Sequence, residues 1–263
     1  MKKSWITSAI AGIVLLCGNV GAAQADDLQK IIDAKTVRAG ICLTSEPAGF
    51  RDADNTPKGY DVDVANMLAE QLGVALEIVE VEGSTRIPML LSDKIDVIIC
   101  NITATTERAK SVDFSFPYLR TGIRLLVQKD GGITGFQDLA GKKVVVGRGT
   151  TGEAMVKQRA PEAELVYIEN PGDAILQMRQ KKADAYIEDS LGIDWIAKTY
   201  PDQLMSLPET YSSDPITLGI RKDNPSFLRW LDLFASTYVS SGRYDETYRK
   251  WWGTEAPKLN AVW

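Results

Sequence analysis

Short apolar runs alternate along this chain with stretches whose apolar residues recur at helical spacing, a pattern that predicts an α/β protein. Val37–Cys42 reads as a strand, followed by a segment rich in Pro, Gly and Asp through Gly59 that reads as a loop. Over Asp61–Leu72 the apolar residues Val64, Leu68 and Leu72 share one helical face, and Gly73 supplies the stop. Leu76–Val81 is a second predicted strand, Ile87–Ser92 a short helix, and Ile95–Cys100 a buried strand. This strand–helix order argues for a mainly parallel sheet with ligands beyond the carboxyl ends of its strands.

A second unit of the same kind begins after Tyr118. Arg124–Gln128 is a predicted strand, and Gly131–Leu139 a loop holding a short helix. Strand Lys143–Gly147 runs through Arg148-Gly-Thr-Thr-Gly-Glu153 into a helix. Glu164–Ile168 (strand), Pro171–Gln180 (helix) and Ala183–Ile187 (strand, ending at Glu188-Asp189) complete the unit. Asp214–Arg221 reads as a return strand, and Phe227–Tyr238 as a helix carrying Phe227, Leu231 and Phe234. The aromatic terminus Tyr248–Gly253 is expected to pack back on the first unit. Two lobes joined by two crossover hinges leave a cleft between them, where small ligands prefer to bind. The expected division is residues 26–120 and 216–263 for lobe 1, and 121–215 for lobe 2.

The remaining residues, 1–25, read as an export signal: basic Lys2 and Lys3, an apolar stretch from Ile6 to Cys17, and a small-residue cleavage site ending at Ala25. The stretch is shorter than the ~20 residues that span a bilayer, so a cleaved, periplasmic protein with no further membrane insertion is expected. Without its two lysines the mature chain has 28 basic and 35 acidic residues, a net charge of −7, and no histidine. That balance argues against nucleic acid or anionic membrane as a partner. Cys42 and Cys100 end two predicted strands and could meet as a disulfide in an oxidising compartment. Two buried free thiols are the favoured expectation, because cysteine commonly serves as a small core hydrophobe. No metal-ligand cluster, nucleophile–base pair or nucleotide fingerprint appears, so neither metal nor cofactor is expected, and an enzyme is not.

Candidate chemistry concentrates after the Ile95–Cys100 strand. Asn101 and Thr103 lie in a polar loop of hydroxyl and amide side chains, and Arg108 follows five residues after Thr103. Backbone N–H groups and hydroxyls on one side with a guanidinium fork on the other suit capture of a free carboxylate. Arg108 could instead form a surface ion pair with Glu107 or Asp113. Thr150 and Thr151 could cap a helix, with Thr151 favoured to cap and bind together. Asp61 and Asp63 read as structural, at the opening turn of their helix.

The ordered set Gly59-Tyr-Asp-Val-Asp-Val-Ala, Arg86-Ile-Pro, Ile95-Asp-Val-Ile, Thr103–Arg108, Val112-Asp-Phe-Ser-Phe-Pro-Tyr118, Gly149-Thr-Thr-Gly-Glu153 and Lys250-Trp-Trp-Gly253 spans the mature chain. In it the chain resembles the extracytoplasmic solute-binding proteins, family 3, of polar-amino-acid ABC importers. Gly83-Ser-Thr-Arg-Ile-Pro88, Arg124-Leu-Leu-Val and Pro257-Lys-Leu-Asn260 carry a closer likeness to the periplasmic glutamate/aspartate-binding proteins. The resemblance implies a two-lobed type II periplasmic-binding-protein fold that shuts around one amino acid. It implies further that the protein works as a monomer with an inner-membrane ABC permease and its ATPase.

Carried over by position, the resemblance gives Arg108 the α-carboxylate and Asp189 the α-ammonium of the ligand. Thr103 and Asn101 assist from lobe 1 and Thr151, beside Thr150, from lobe 2. Arg86 stands where acidic-amino-acid binders carry an arginine for the distal carboxylate. Cys42 and Pro171 replace an arginine and a histidine of those binders. Ser45 and Gly83 stand where basic-amino-acid binders place aromatic residues, so arginine, lysine and histidine are disfavoured. An acidic or amide amino acid is the expected ligand. The alternative is an enzyme on the same scaffold, similar to cyclohexadienyl dehydratases, with Glu153 or Glu188 as its general acid.

Overall fold

The computed structural model describes residues 26–259; the expected export signal lies outside them. Two sheets carry the molecule. The first orders its strands Ala75–Glu80, Thr36–Ile41, Val97–Thr103, Asp214–Arg221 and Val112–Phe114, with Leu119–Thr121 also pairing to Asp214–Arg221. The second runs Glu164–Ile168, Lys143–Gly147, Ala185–Asp189, Ile123–Gln128 and Leu204–Ser206. In each, three parallel strands are followed by an antiparallel one. The parallel strands Val97–Thr103 and Lys143–Gly147 are nearly continuous apolar runs because helices cover both faces.

The chain crosses between sheets at Gly122 and again between Ser206 and Asp214. At the first crossing a Cβ on Gly122 would lie 2.2 Å from the Ser212 carbonyl oxygen, so only glycine lets the two crossovers run side by side. Tyr211 N–H donates to Ile123 O at 2.8 Å and ties the two crossovers, while Ser190 N–H donates to Gly122 O at 2.7 Å and holds the first to the start of helix Ser190–Thr199. The return strand starts at Asp214, which pairs with Thr121 in the first sheet.

Helix Tyr60–Leu72 buries Val64, Ala65 and Leu68 and ends at Gly73 in the left-handed conformation. Helix Pro225–Ser240 adds Phe227, Leu231, Phe234 and Tyr238 to the same core. The C-terminal helix Arg243–Trp252 returns to this lobe, with Trp252 4.8 Å from the Tyr60 ring and Trp251 5.8 Å from Phe50. Asp63 holds that tail by accepting from Lys250 Nζ at 2.6 Å and Trp251 Nε1 at 2.7 Å. Elements not foreseen include helix Asp27–Ala34, a meander of Thr44–Ser45, Gly49–Arg51 and Pro57–Lys58, strands Val112–Phe114 and Leu119–Thr121, helix Ser190–Thr199, and strand Leu204–Ser206.

A buried polar chain underlies the site. Tyr238 donates to Tyr60 Oη, Tyr60 to the Tyr118 carbonyl, and Tyr118 to Asp61 Oδ1 at 2.7 Å. Burial pushes the Asp61 carboxyl up to about 7, against the opposing pull of the Tyr118 hydroxyl and the Asn101 main chain. The folded protein thus holds this proton more tightly than the unfolded chain. The group's contribution to stability is complete at pH values below the ordinary carboxylate range and is lost as pH rises through 7. Asp61→Asn should flatten the dependence. In urea unfolding from pH 4 to pH 7, the wild type should lose on the order of 2–3 kcal/mol relative to the variant. Parallel curves for the two proteins would show that the Asp61 charge is accommodated at no cost.

Candidate functional site

The carboxyl ends of the parallel strands of both lobes meet at one cavity. Residues just past strand Thr36–Ile41 and at the end of Val97–Thr103 form one wall. The opposite wall comes from the ends of Lys143–Gly147 and Ala185–Asp189. All seven residues singled out in the sequence, Arg86, Asn101, Thr103, Arg108, Thr150, Thr151 and Asp189, line it.

Arg108 opens a single 3-10 turn after the polar loop, and its own N–H donates to Thr105 Oγ1 at 3.2 Å. Its guanidinium donates to the Thr103 carbonyl at 2.7 Å and, across the cleft, to the Gly149 carbonyl at 2.9 Å. Neither acid considered as a surface partner takes it: Glu107 pairs with Lys110 and Asp113 with Lys222. Two of five N–H groups are spent on carbonyls, so the fork keeps donors for an anion. Burial lowers the Arg108 pKa, while Asp189 and Asp214 hold it up.

Asp189 stands at the N-terminus of helix Ser190–Thr199 without capping it, its side chain almost wholly buried. One oxygen accepts from Asn101 Nδ2 across the cleft, and Oδ1 has no partner among the described residues. Burial, with the like charges of Glu188 and Asp214, raises its pKa well above the carboxylate range. A buried carboxylate with an orphaned oxygen calls for a donor. Asn101 reaches it from a left-handed backbone, φ 45°, a conformation asparagine tolerates, and its own Oδ1 is likewise unpartnered.

Arg86 is 5% exposed; its Nη1 donates to the Cys100 carbonyl at 2.6 Å and its Nε has no partner. Burial, with Arg108 nearby, depresses its pKa to about 10. Thr150, not Thr151, caps helix Thr151–Arg159, accepting from Glu153 N–H at 3.1 Å, and Thr151 is the first helical residue. The correction follows from Gly149, whose positive φ of 76° turns the chain one residue earlier than the hydroxyl pattern suggested. Arg148 pairs with Glu169 at 2.9 Å, its guanidinium 4.4 Å over the Tyr167 ring, and is half exposed at the cavity rim. Of the two acids considered for catalysis, Glu153 is held by Lys157 and the Gly149 N–H, with its pKa lowered. Glu188 accepts from Tyr186 Oη and Asp189 N–H, with burial raising its pKa.

The favoured expectation for the cysteines fails: Cys42 and Cys100 are joined in a disulfide, Cα atoms 5.0 Å apart, and both line the cavity. Strand Thr36–Ile41 pairs directly with Val97–Thr103, Ala39 opposite Val97 and Gly40 opposite Ile98, and continuing that register sets Cys42 beside Cys100 in the middle of the second strand. The sequence reading also passed over Thr44, Glu82, Glu169 and Tyr186 on the cavity walls. The position of Glu82 just beyond a strand's carboxyl end was the signal available. Ser84 Oγ donates to Glu169 Oε2 across the cleft at 2.8 Å, so the lobes meet and are shut on each other.

Residues 37–254 match the bacterial extracellular solute-binding proteins, family 3. The ABC transporter glutamine-binding protein GlnH of Bacillus subtilis (strain 168) is 30% identical over 270 residues, 95% of this chain and 97% of that protein. The glutamate/aspartate import solute-binding protein of Escherichia coli (strain K12) is 27% identical over 269 residues, 94% of this chain and 89% of that protein. Among solved structures, the ancestral amino acid-binding protein AncCDT-1, a precursor of cyclohexadienyl dehydratase, superposes with a TM-score of 0.79. It shares 34% identity, covering 87% of this chain and 100% of that one.

Proposed function

Because the chain belongs to the bacterial extracellular solute-binding proteins, family 3, we propose that it is the periplasmic receptor of an ABC import system for a free L-amino acid, acidic or amide. The protein is exported by the leader ending at Ala25, acts as a monomer and delivers its ligand to an inner-membrane permease driven by an ATPase. The observation that carries the reading is the pair Arg108 and Asp189. They come from opposite lobes, face one cavity, and neither has an ionic partner among the described residues. A zwitterion leaving water needs a counter-charge at each end, or desolvation defeats binding.

Arg108 takes the α-carboxylate, with Thr103 and the Thr150–Thr151 helix start beside it. Asp189 takes the α-ammonium, which replaces the Asn101 amide as its donor. Each pole of the ligand binds groups from a different lobe, so the ligand favours the shut form over the open one by its differential contacts.

A thermal-shift screen against the common amino acids tests this. A ligand present at 100 times its Kd stabilises by about 2.7 kcal/mol, or roughly 5–10 °C in a protein of this size. No shift with any amino acid would remove the receptor reading. The enzyme alternative gains from the AncCDT-1 likeness and from the raised pKa of Glu188. Turnover of prephenate or arogenate by the purified protein would establish it.

A further inference from the structure

The acids lining the cavity differ in what holds them. Asp189 has Asn101, Glu188 has the Tyr186 hydroxyl and a main-chain N–H, and Glu169 has Arg148 and Ser84. Among the described residues, the Glu82 carboxylate has only Thr44 Oγ1, 3.3 Å from both its oxygens. A hydroxyl supplies one proton, whereas a carboxylate offers about four acceptor sites. Among the described residues, no Lys or Arg forms an ion pair with Glu82. The nearest charges that act on it are like ones, Glu80 and Glu169, and burial raises its pKa.

The main chain that carries this side chain is fixed. Glu82 N–H donates to Thr85 Oγ1 at 2.9 Å, and its carbonyl accepts from Thr85 and Arg86 N–H groups at 3.0 Å. The residue is thereby fixed where strand Ala75–Glu80 passes into helix Arg86–Leu91. The same loop is where the lobes touch: a Cβ on Gly83 would stand 3.2 Å from the Arg148 carbonyl oxygen. Closure therefore leaves beside the cavity a half-buried carboxylate that the chain leaves short of donors, an arrangement that a donor on the ligand would relieve.

We infer that Glu82, steadied by Thr44, accepts hydrogen bonds from the far end of the ligand's side chain, so that the preferred amino acid ends in N–H donors and not in a carboxylate. The inference rests on the receptor reading and revises its ligand class: the acidic terminus drops out, and a cationic one, disfavoured by the sequence, stands beside the amide. Carboxamide and cationic termini share this chemistry, while glutamate and aspartate would set a second carboxylate against Glu82. An acidic ligand would have to turn to Arg86, whose Nη1 is engaged with the Cys100 carbonyl.

The test is titration calorimetry of glutamine, arginine, glutamate and aspartate against the wild type, Glu82→Gln and Glu82→Ala. A like-charge contact costs several kcal/mol, so the wild type should bind glutamine or arginine at least ~100-fold more tightly than glutamate. Both variants should bring the ligands to within roughly 10-fold of one another. Arginine losing more than glutamine in Glu82→Gln would assign the cationic terminus; the reverse order would assign the amide. Wild-type affinity for glutamate equal to or above that for glutamine and arginine overturns the inference and leaves the receptor reading standing. That comparison needs no variant to fold. Failure of every amino acid to bind removes the receptor reading itself, and this inference with it.

Discussion

Arg108→Ala is expected to cost about 3–5 kcal/mol of ligand binding, since it leaves a carboxylate buried without its counter-charge. In affinity that is roughly 100-fold to several-thousand-fold. The guanidinium serves twice: it offers a fork to the ligand's carboxylate, and it spans the cleft to the Gly149 carbonyl. Its removal therefore weakens the contact with the ligand and the closed form that the ligand selects. Arg108→Lys, which restores charge but not the planar fork, should recover only part of the loss. Folding should be spared, because the side chain bonds only main-chain carbonyls of its own and the facing loop. Calorimetry on the purified Ala variant, with its ligand-free melting temperature as a control, makes the measurement. Affinity close to that of the wild type would take Arg108 out of the site.

The features legible in the sequence were those with a period or a motif. Helix Tyr60–Leu72 announced itself through Val64 and Leu68 on one face and Gly73 at its end. The parallel strands announced themselves as apolar runs. Helix Ser190–Thr199 did not, because its buried face is only Ile193 and Ile196 and it starts without a break after Asp189. The meander of two- and three-residue strands between Thr44 and Lys58 is too short for alternation to register, and its Pro, Gly and Asp content reads as loop. At the site, the polar segment from Asn101 to Arg108 was readable because it follows an apolar run, but Asn101 and Thr103, expected in a loop, belong to strand Val97–Thr103, whose pairing with Asp214–Arg221 extends it past Cys100. The family likeness supplied Asp189. Glu82 was hidden behind Glu80, two residues before it, because acids at that spacing look like a solvated strand face. Only tertiary structure shows that, among the described residues, Thr44 is the single partner of its carboxylate. The cysteines carry a related lesson. Burial favoured free thiols, but burial says nothing about which strands are neighbours, and sheet order decided the matter.

Loss of the Cys42–Cys100 bridge should be the largest change in stability. The cysteines are 58 residues apart in sequence, and the chain-entropy model gives about 4 kcal/mol for closing a loop of that length. For a protein of this size each kcal/mol moves the melting temperature by about 2–4 °C, so reduction, or Cys42→Ala with Cys100→Ala, should lower it by about 10 °C. The bridge joins Cys42, just past strand Thr36–Ile41, to Cys100 within strand Val97–Thr103, and the two strands are already paired through Ala39 and Gly40. The native contacts it adds are few, and its effect falls mainly on the unfolded chain. Affinity provides the second readout. The sulfurs line the cavity, and the Cys100 carbonyl accepts from Arg86, so loosening this strand end frees the Arg86 guanidinium to move. Reduced protein should therefore bind more weakly even at temperatures where it is fully folded. An unchanged melting temperature on reduction, or two titratable thiols in the unreduced mature protein after denaturation, would contradict the bridge. Reduction that lowers stability but leaves affinity untouched would confine it to folding and separate the floor of the cavity from its charged walls.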